Sequence, residues 1–113
     1  MDTVTITSRR NLSLNALKRL IGSRWPTKVG RDRLAVEGSS SCVYIYHPSL
    51  DNRSIDRKRL YLDYHSVKLV KEIVQIIGDD PDFLIDNDFG TALHGDQFVA
   101  RLRLGKGWDW TNS

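Results

Sequence analysis

An α+β domain is expected: a small, mostly antiparallel sheet with two to three helices packed on it, in the order β-α-β-β-β-α-β-α. Stretches that alternate with period two and are rich in β-branched and aromatic residues recur at Thr3–Thr7, Cys42–Tyr46 and Arg59–Tyr64. Two stretches, opened by Ser13 and Ser66, switch to helical spacing. A turn-forming run, Gly38-Ser39-Ser40-Ser41, joins two of the strand candidates into a hairpin. The 113 residues fit one domain, 1–113, which buries about two-thirds of its unfolded surface around a modest core.

Thr3-Val4-Thr5-Ile6-Thr7 is the first strand, followed by a polar connection, Ser8 to Asn11. Ser13 caps a helix whose stripe is Leu14, Leu17, Leu20 and Ile21, with Lys18 and Arg19 on the other side. Gly22 and Ser23 loosen its end, Pro26 prevents continuation, and Trp25 is expected to fold back on the core. Lys28 to Arg33 reads as a basic loop. Leu34-Ala35-Val36 and Cys42-Val43-Tyr44-Ile45-Tyr46 form the hairpin, ended by Pro48, and residues 49–58 make an exposed polar loop. In Arg59–Tyr64, Leu60, Leu62 and Tyr64 share one face, and Tyr61 and Asp63 the other.

Ser66 then caps the clearest helix, with Val67, Val70, Ile73, Val74 and Ile77 inward and Lys68, Lys71, Glu72 and Gln75 outward. Gly78 is expected at C′, with Pro81 just beyond. Phe83-Leu84-Ile85-Asp86 reads as a short buried strand ended by Gly90. Gly95 and Asp96 start a third helix that runs through Leu104 and is broken by Gly105 and Gly107.

Charge is unevenly placed along the chain. Residues 1–78 hold 14 basic and 7 acidic side chains, a balance of +7. Residues 79–100 hold 6 carboxylates and no Lys or Arg, and residues 101–113 return to +2, so the whole is +3. A balance of +3 is weak support for nucleic-acid binding; the internal separation says more about partners. One cysteine, Cys42, excludes an internal disulfide and favours a reducing compartment. The N-terminus lacks a signal peptide's basic and apolar regions, and no apolar run reaches the roughly 18 residues of a membrane span. A cytoplasmic protein with no membrane partner is the expectation.

No motif names a reaction. Asp80 and Asp82 would take positions 1 and 3 of an EF-hand loop, but position 5 is then Leu84 and position 6 is Ile85, not Gly. A two-carboxylate hydrolase wants a Lys or His beside it, and His94 is the only near candidate in sequence. His47, His65 and His94 match no zinc spacing and Cys42 has no companion. There is no nucleophile elbow, no phosphate-binding glycine loop, and no implied metal or cofactor. The chain is expected not to be an enzyme.

What remains is a candidate partner surface: Asp79, Asp80, Asp82, Asp86, Asp88 and Asp96, with Trp108 and Trp110 nearby. The two tryptophans either tie the tail onto the core or form an exposed aromatic anchor. A second reading uses the basic N-terminal third (Arg9, Arg10, Lys18, Arg19, Arg24, Lys28, Arg31, Arg33) with Tyr44, Tyr46, Tyr61 and Tyr64 as stacking platforms for a small nucleic-acid-binding module.

The run Leu84-Ile85-Asp86-Asn87-Asp88-Phe89-Gly90-Thr91, then Gly95-Asp96-Gln97-Phe98-Val99 and Gly107-Trp108-Asp109-Trp110, resembles small bacterial immunity proteins of polymorphic toxin systems, the contact-dependent growth inhibition and Rhs type. The motifs cover at most a third of the chain, and the small size and short α+β pattern agree with them. The resemblance implies a non-enzymatic toxin inhibitor. It would bind the C-terminal domain of the cognate toxin in the producing cell's cytoplasm and cover its active site. It brings no residue-level binding map.

Overall fold

The computed structural model describes residues 1–49, 54–104 and 108–110. The chain folds as α+β, with one seven-stranded antiparallel sheet carrying three helices among the described residues. The strands are β1 (Asp2–Thr7), β2 (Thr27–Val29), β3 (Arg33–Glu37), β4 (Cys42–Tyr46), β5 (Arg59–Tyr64), β6 (Leu84–Asp86) and β7 (Ala92–His94). The helices are α1 (Leu14–Ile21), α2 (Val67–Ile77) and α3 (Gly95–Leu104). Across the sheet the order is β2-β3-β4-β5-β1-β6-β7. The first strand therefore lies between β5 and β6 and joins the two halves of the sheet.

Register puts nearly all the large aliphatic strand residues on one side, Leu84 excepted. Leu34, Ile45, Leu62 and Val4 stand in one row across four strands, and Leu60, Ile6, Ile85 and Leu93 in another. Leu17 and Ile21 of α1, the Leu69, Val70, Ile73, Val74 and Ile77 stripe of α2, and Phe98 and Val99 of α3 close over them in a single core. Each such side chain contributes about 1.5–3 kcal/mol on burial, which explains why three helices stay on one face. Among the described residues no helix lies over the other face.

The expected elements appear, with Ser13 and Ser66 capping α1 and α2 through bonds from Ala16 N and Leu69 N. Two short strands are additional. β2 falls inside the stretch read as a basic loop, and β7 falls between Gly90 and Gly95. Each is three residues at a sheet edge, too short to show a period, and its partner strand draws it into the ladder. Gly78 is the C-cap in right-handed geometry, with no left-handed C′ turn; a Cβ there would meet Val74 O at 2.7 Å and Ile85 Cδ1 at 2.8 Å. The strand expected from Phe83 starts at Leu84, and Leu84 is 44% exposed because it points away from the helices, while Phe83 and Ile85 are buried. The helix break assigned to Gly105 and Gly107, and part of the expected 49–58 loop, lie outside the described residues.

Trp110 decides the alternative left open for the tail. It is completely buried, and its ring packs on Phe98 at 5.6 Å and Tyr64 at 6.0 Å. Its indole N–H donates to the Tyr64 hydroxyl at 3.2 Å. Trp108 is half-buried against the same core, 5.4 Å from Phe98, and Lys71 Nζ donates to its carbonyl. Replacing Trp110 by Ala is expected to lower unfolding free energy by about 3–5 kcal/mol, and Trp108→Ala by clearly less. Urea denaturation followed by circular dichroism checks the order; equal effects would show that Trp110 is not the tie.

Candidate functional site

The six carboxylates, continuous in sequence, are divided by the fold. Asp80 accepts a hydrogen bond from Arg10 Nη2 at 2.6 Å and one from Asp82 N at 2.9 Å. The Arg10 guanidinium and that backbone N–H hold the Asp80 carboxyl below the usual carboxylate range. Asp82 lies 3.9 Å from the other arm of Arg10, which also covers the Phe83 ring. Asp79 pairs with Arg103 at 3.5 Å. These three residues beyond the end of α2 thus share two cations, Arg10 and Arg103, that are far away in sequence.

Asp86, Asp88 and Asp96 differ. All three are exposed and form no ion pair with Lys or Arg among the described residues. Asp86 ends β6 and accepts Asp88 N at 2.8 Å, an Asx turn. Asp88 has φ 64°, a left-handed conformation that Asp tolerates better than most residues, and Gly90 follows at φ 99°. Asn87, between them, points inward and is completely buried. Its Oδ1 accepts Phe89 N at 2.9 Å and Thr91 N at 3.0 Å, and its Nδ2 donates to Trp110 O at 3.1 Å. The alternation in Asp86-Asn87-Asp88 follows directly: the amide anchors the turn and the two carboxylates are held outward. Asp96 sits in the first turn of α3, where the helix dipole favours a negative charge. Among the described residues no group of three or more His, Cys, Asp or Glu is arranged to hold a metal ion.

The basic residues of the first third are also dispersed. Arg10 is taken by Asp80, Lys28 faces Glu37 at 3.4 Å, Arg24 lies over Trp25 and Arg33 over Tyr44 at 4.3 Å. Lys18 and Arg19 ride on α1, in the helical layer, away from the uncovered sheet face. Tyr64 is buried on the helix side and is no stacking platform; Tyr44, Tyr46 and Tyr61 lie half-buried on the uncovered face.

Sequence reasoning missed a polar cluster in the middle of that face. Asp63 accepts Thr3 Oγ1 at 2.6 Å and the Tyr46 hydroxyl at 2.9 Å. Tyr46 meets Tyr61 edge-to-face, centroids 5.6 Å apart. The signal present in the sequence was the alternation that put Tyr61 and Asp63 opposite Leu60 and Leu62; the strand order that brings Thr3 beside them was not readable. A cavity of about 730 Å³ opens beside this cluster, with Arg31, Arg33, Tyr46, His47, Arg57 and Asp63 among its walls.

Comparison with protein-family models, with curated proteins and with solved structures finds no match. No helix among the described residues is long and apolar enough to cross a membrane.

Burial, with the bond to Asp63, pushes the Tyr46 hydroxyl up to about 12. A raised phenol stabilises the fold below the ordinary value near 10 and loses that contribution as pH climbs through about 12. A spectrophotometric phenolate titration is expected to lose one late-ionising tyrosine in Tyr46→Phe. An unchanged late phase would show that the cluster does not form.

Proposed function

We propose that the chain is an immunity protein: a non-enzymatic inhibitor of a cognate bacterial toxin's C-terminal domain, a nuclease, acting in the cytoplasm by covering the toxin's active site. One observation carries the proposal beyond the resemblance. Asp86, Asp88 and Asp96, on the β6–β7 hairpin and the helix that follows it, are exposed and without cationic partners among the described residues, and the turn that carries Asp86 and Asp88 is braced from behind by the buried Asn87. A nuclease surface is basic because it must hold a phosphate backbone. Carboxylates fixed on a rigid turn compete for that surface, speed encounter and select the right partner.

Co-expression with the toxin domain encoded by the adjoining gene is expected to restore growth to a bacterial host poisoned by that domain. The association rate of the purified pair is expected to fall about tenfold or more from low to high ionic strength. The triple variant Asp86→Asn, Asp88→Asn, Asp96→Asn should show the slow rate at every salt concentration and unfold at the wild-type midpoint. Failure to protect overturns the proposal; protection with a salt-independent association rate overturns its electrostatic part.

A further inference from the structure

We infer that the cavity of about 730 Å³ beside Tyr46 and Asp63 binds a small phosphomonoester that also carries hydroxyl groups, a nucleoside monophosphate or a sugar phosphate. The site is separate from the proposed inhibitory surface. It lies where β3 begins and β4 ends, whereas Asp86, Asp88 and Asp96 lie on β6, the turn after it and α3.

Three guanidinium groups reach this one cavity from two parts of the chain. Arg31 comes from the β2–β3 turn, Arg33 from the first residue of β3, and Arg57 from just before β5. Arg31 and Arg57 are exposed and form no ion pair among the described residues, so both charges are available to a ligand. Arg33 lies over the Tyr44 ring at 4.3 Å, a contact that leaves its charge in place and limits its freedom. Three planar forks suit an oxyanion with three terminal oxygens; a carboxylate has two, which a single arginine fills. A phosphomonoester has three and carries about two negative charges near neutral pH.

The rest of the lining chooses what the phosphate is attached to. Asp32 and Asp63 also stand on the walls, so three arginines less two aspartates leave +1 with His47 neutral. That balance does not hold a polyanion, and carboxylates want donors. Asp63 already has two, the hydroxyls of Thr3 and Tyr46. Asp32 is exposed and forms no ion pair among the described residues, which leaves it to accept a ligand hydroxyl. Leu14 and Ile55, the latter 47% exposed, give an apolar wall for the ligand's carbon skeleton.

Parts of the site are fixed in advance. Tyr46 is held by its bond to Asp63 and by the edge of Tyr61, and His47 donates its Nδ1 hydrogen to the Arg59 carbonyl at 2.9 Å. Little side-chain freedom is therefore lost there on binding. The volume falls in the range of about 300–1,000 Å³ usual for small-ligand sites and exceeds what an ion alone would fill.

Isothermal titration calorimetry of the full chain with AMP, ribose 5-phosphate, adenosine and inorganic phosphate tests this. AMP or ribose 5-phosphate is expected to bind one-to-one with Kd below about 1 mM, and the tighter of the two shows whether the ligand is a nucleotide or a sugar phosphate. Adenosine and inorganic phosphate are each expected to bind at least about tenfold more weakly. Arg31→Ala and Arg57→Ala, checked for fold by circular dichroism, are each expected to raise Kd about tenfold. Lys18→Ala removes the same charge from α1 and should leave Kd unchanged. No binding of either phosphomonoester overturns the inference, as does inorganic phosphate binding as tightly as they do. Equal weakening in Lys18→Ala overturns it too, since attraction would then be general. Displacement of AMP by a single-stranded RNA without terminal phosphates also overturns it, because the site would then read a nucleic-acid backbone.

Discussion

One buried ring holds the candidate site in place. Trp110 is in contact with Tyr64 on β5 and Phe98 on α3, and its carbonyl receives the Asn87 side chain from the β6–β7 turn. Four segments from different parts of the chain meet there. The carbonyl of Trp110 accepts from Asn87 Nδ2, a buried bond whose loss would cost about 1–3 kcal/mol, so a docked tail favours the inward position of Asn87. With Asn87 inward, Asp86 and Asp88 have nowhere to go but outward. The acidic edge is therefore a consequence of tail packing as much as of its own residues.

The second constraint is one-sided layering. β1 lies between β5 and β6, so its alternation of Val4 and Ile6 with Thr3, Thr5 and Thr7 sets the sidedness of the whole sheet. All helices follow the apolar side. The other side is left to threonines, tyrosines and a few charges, which hydrogen-bond to one another and not to a covering layer. Half-buried tyrosines in such a place have a fixed geometry and accessible faces, the two properties that make a residue useful in recognition.

Much of this fold was legible because period and capping are local. Ser13 and Ser66 cap where their spacing said they would, and Leu60, Leu62 and Tyr64 share the buried face. The third helix begins at Gly95 as read, for a reason no local pattern contains: a Cβ there would meet the Asp80 carbonyl at 2.5 Å and would collide with that of Gly78. The site was less legible because it is made of long-range pairs. Arg10 reaches Asp80 across 70 residues, and Thr3 reaches Asp63 across 60. Six carboxylates in a row read as one cluster, and only the fold separates those already paired with Arg10 and Arg103 from those left facing water.

That separation bears on mechanism. An exposed ion pair contributes little to stability, so the Arg10–Asp80 pair is better understood by what it removes from the surface: two charges that would otherwise blur the field at this end of the sheet. Asp79, Asp80 and Asp82 each lie within 4 Å of a guanidinium, whereas Asp86 and Asp88 are exposed and have no Lys or Arg partner among the described residues, with Asp86 one strand away from Thr5 and two from Tyr61.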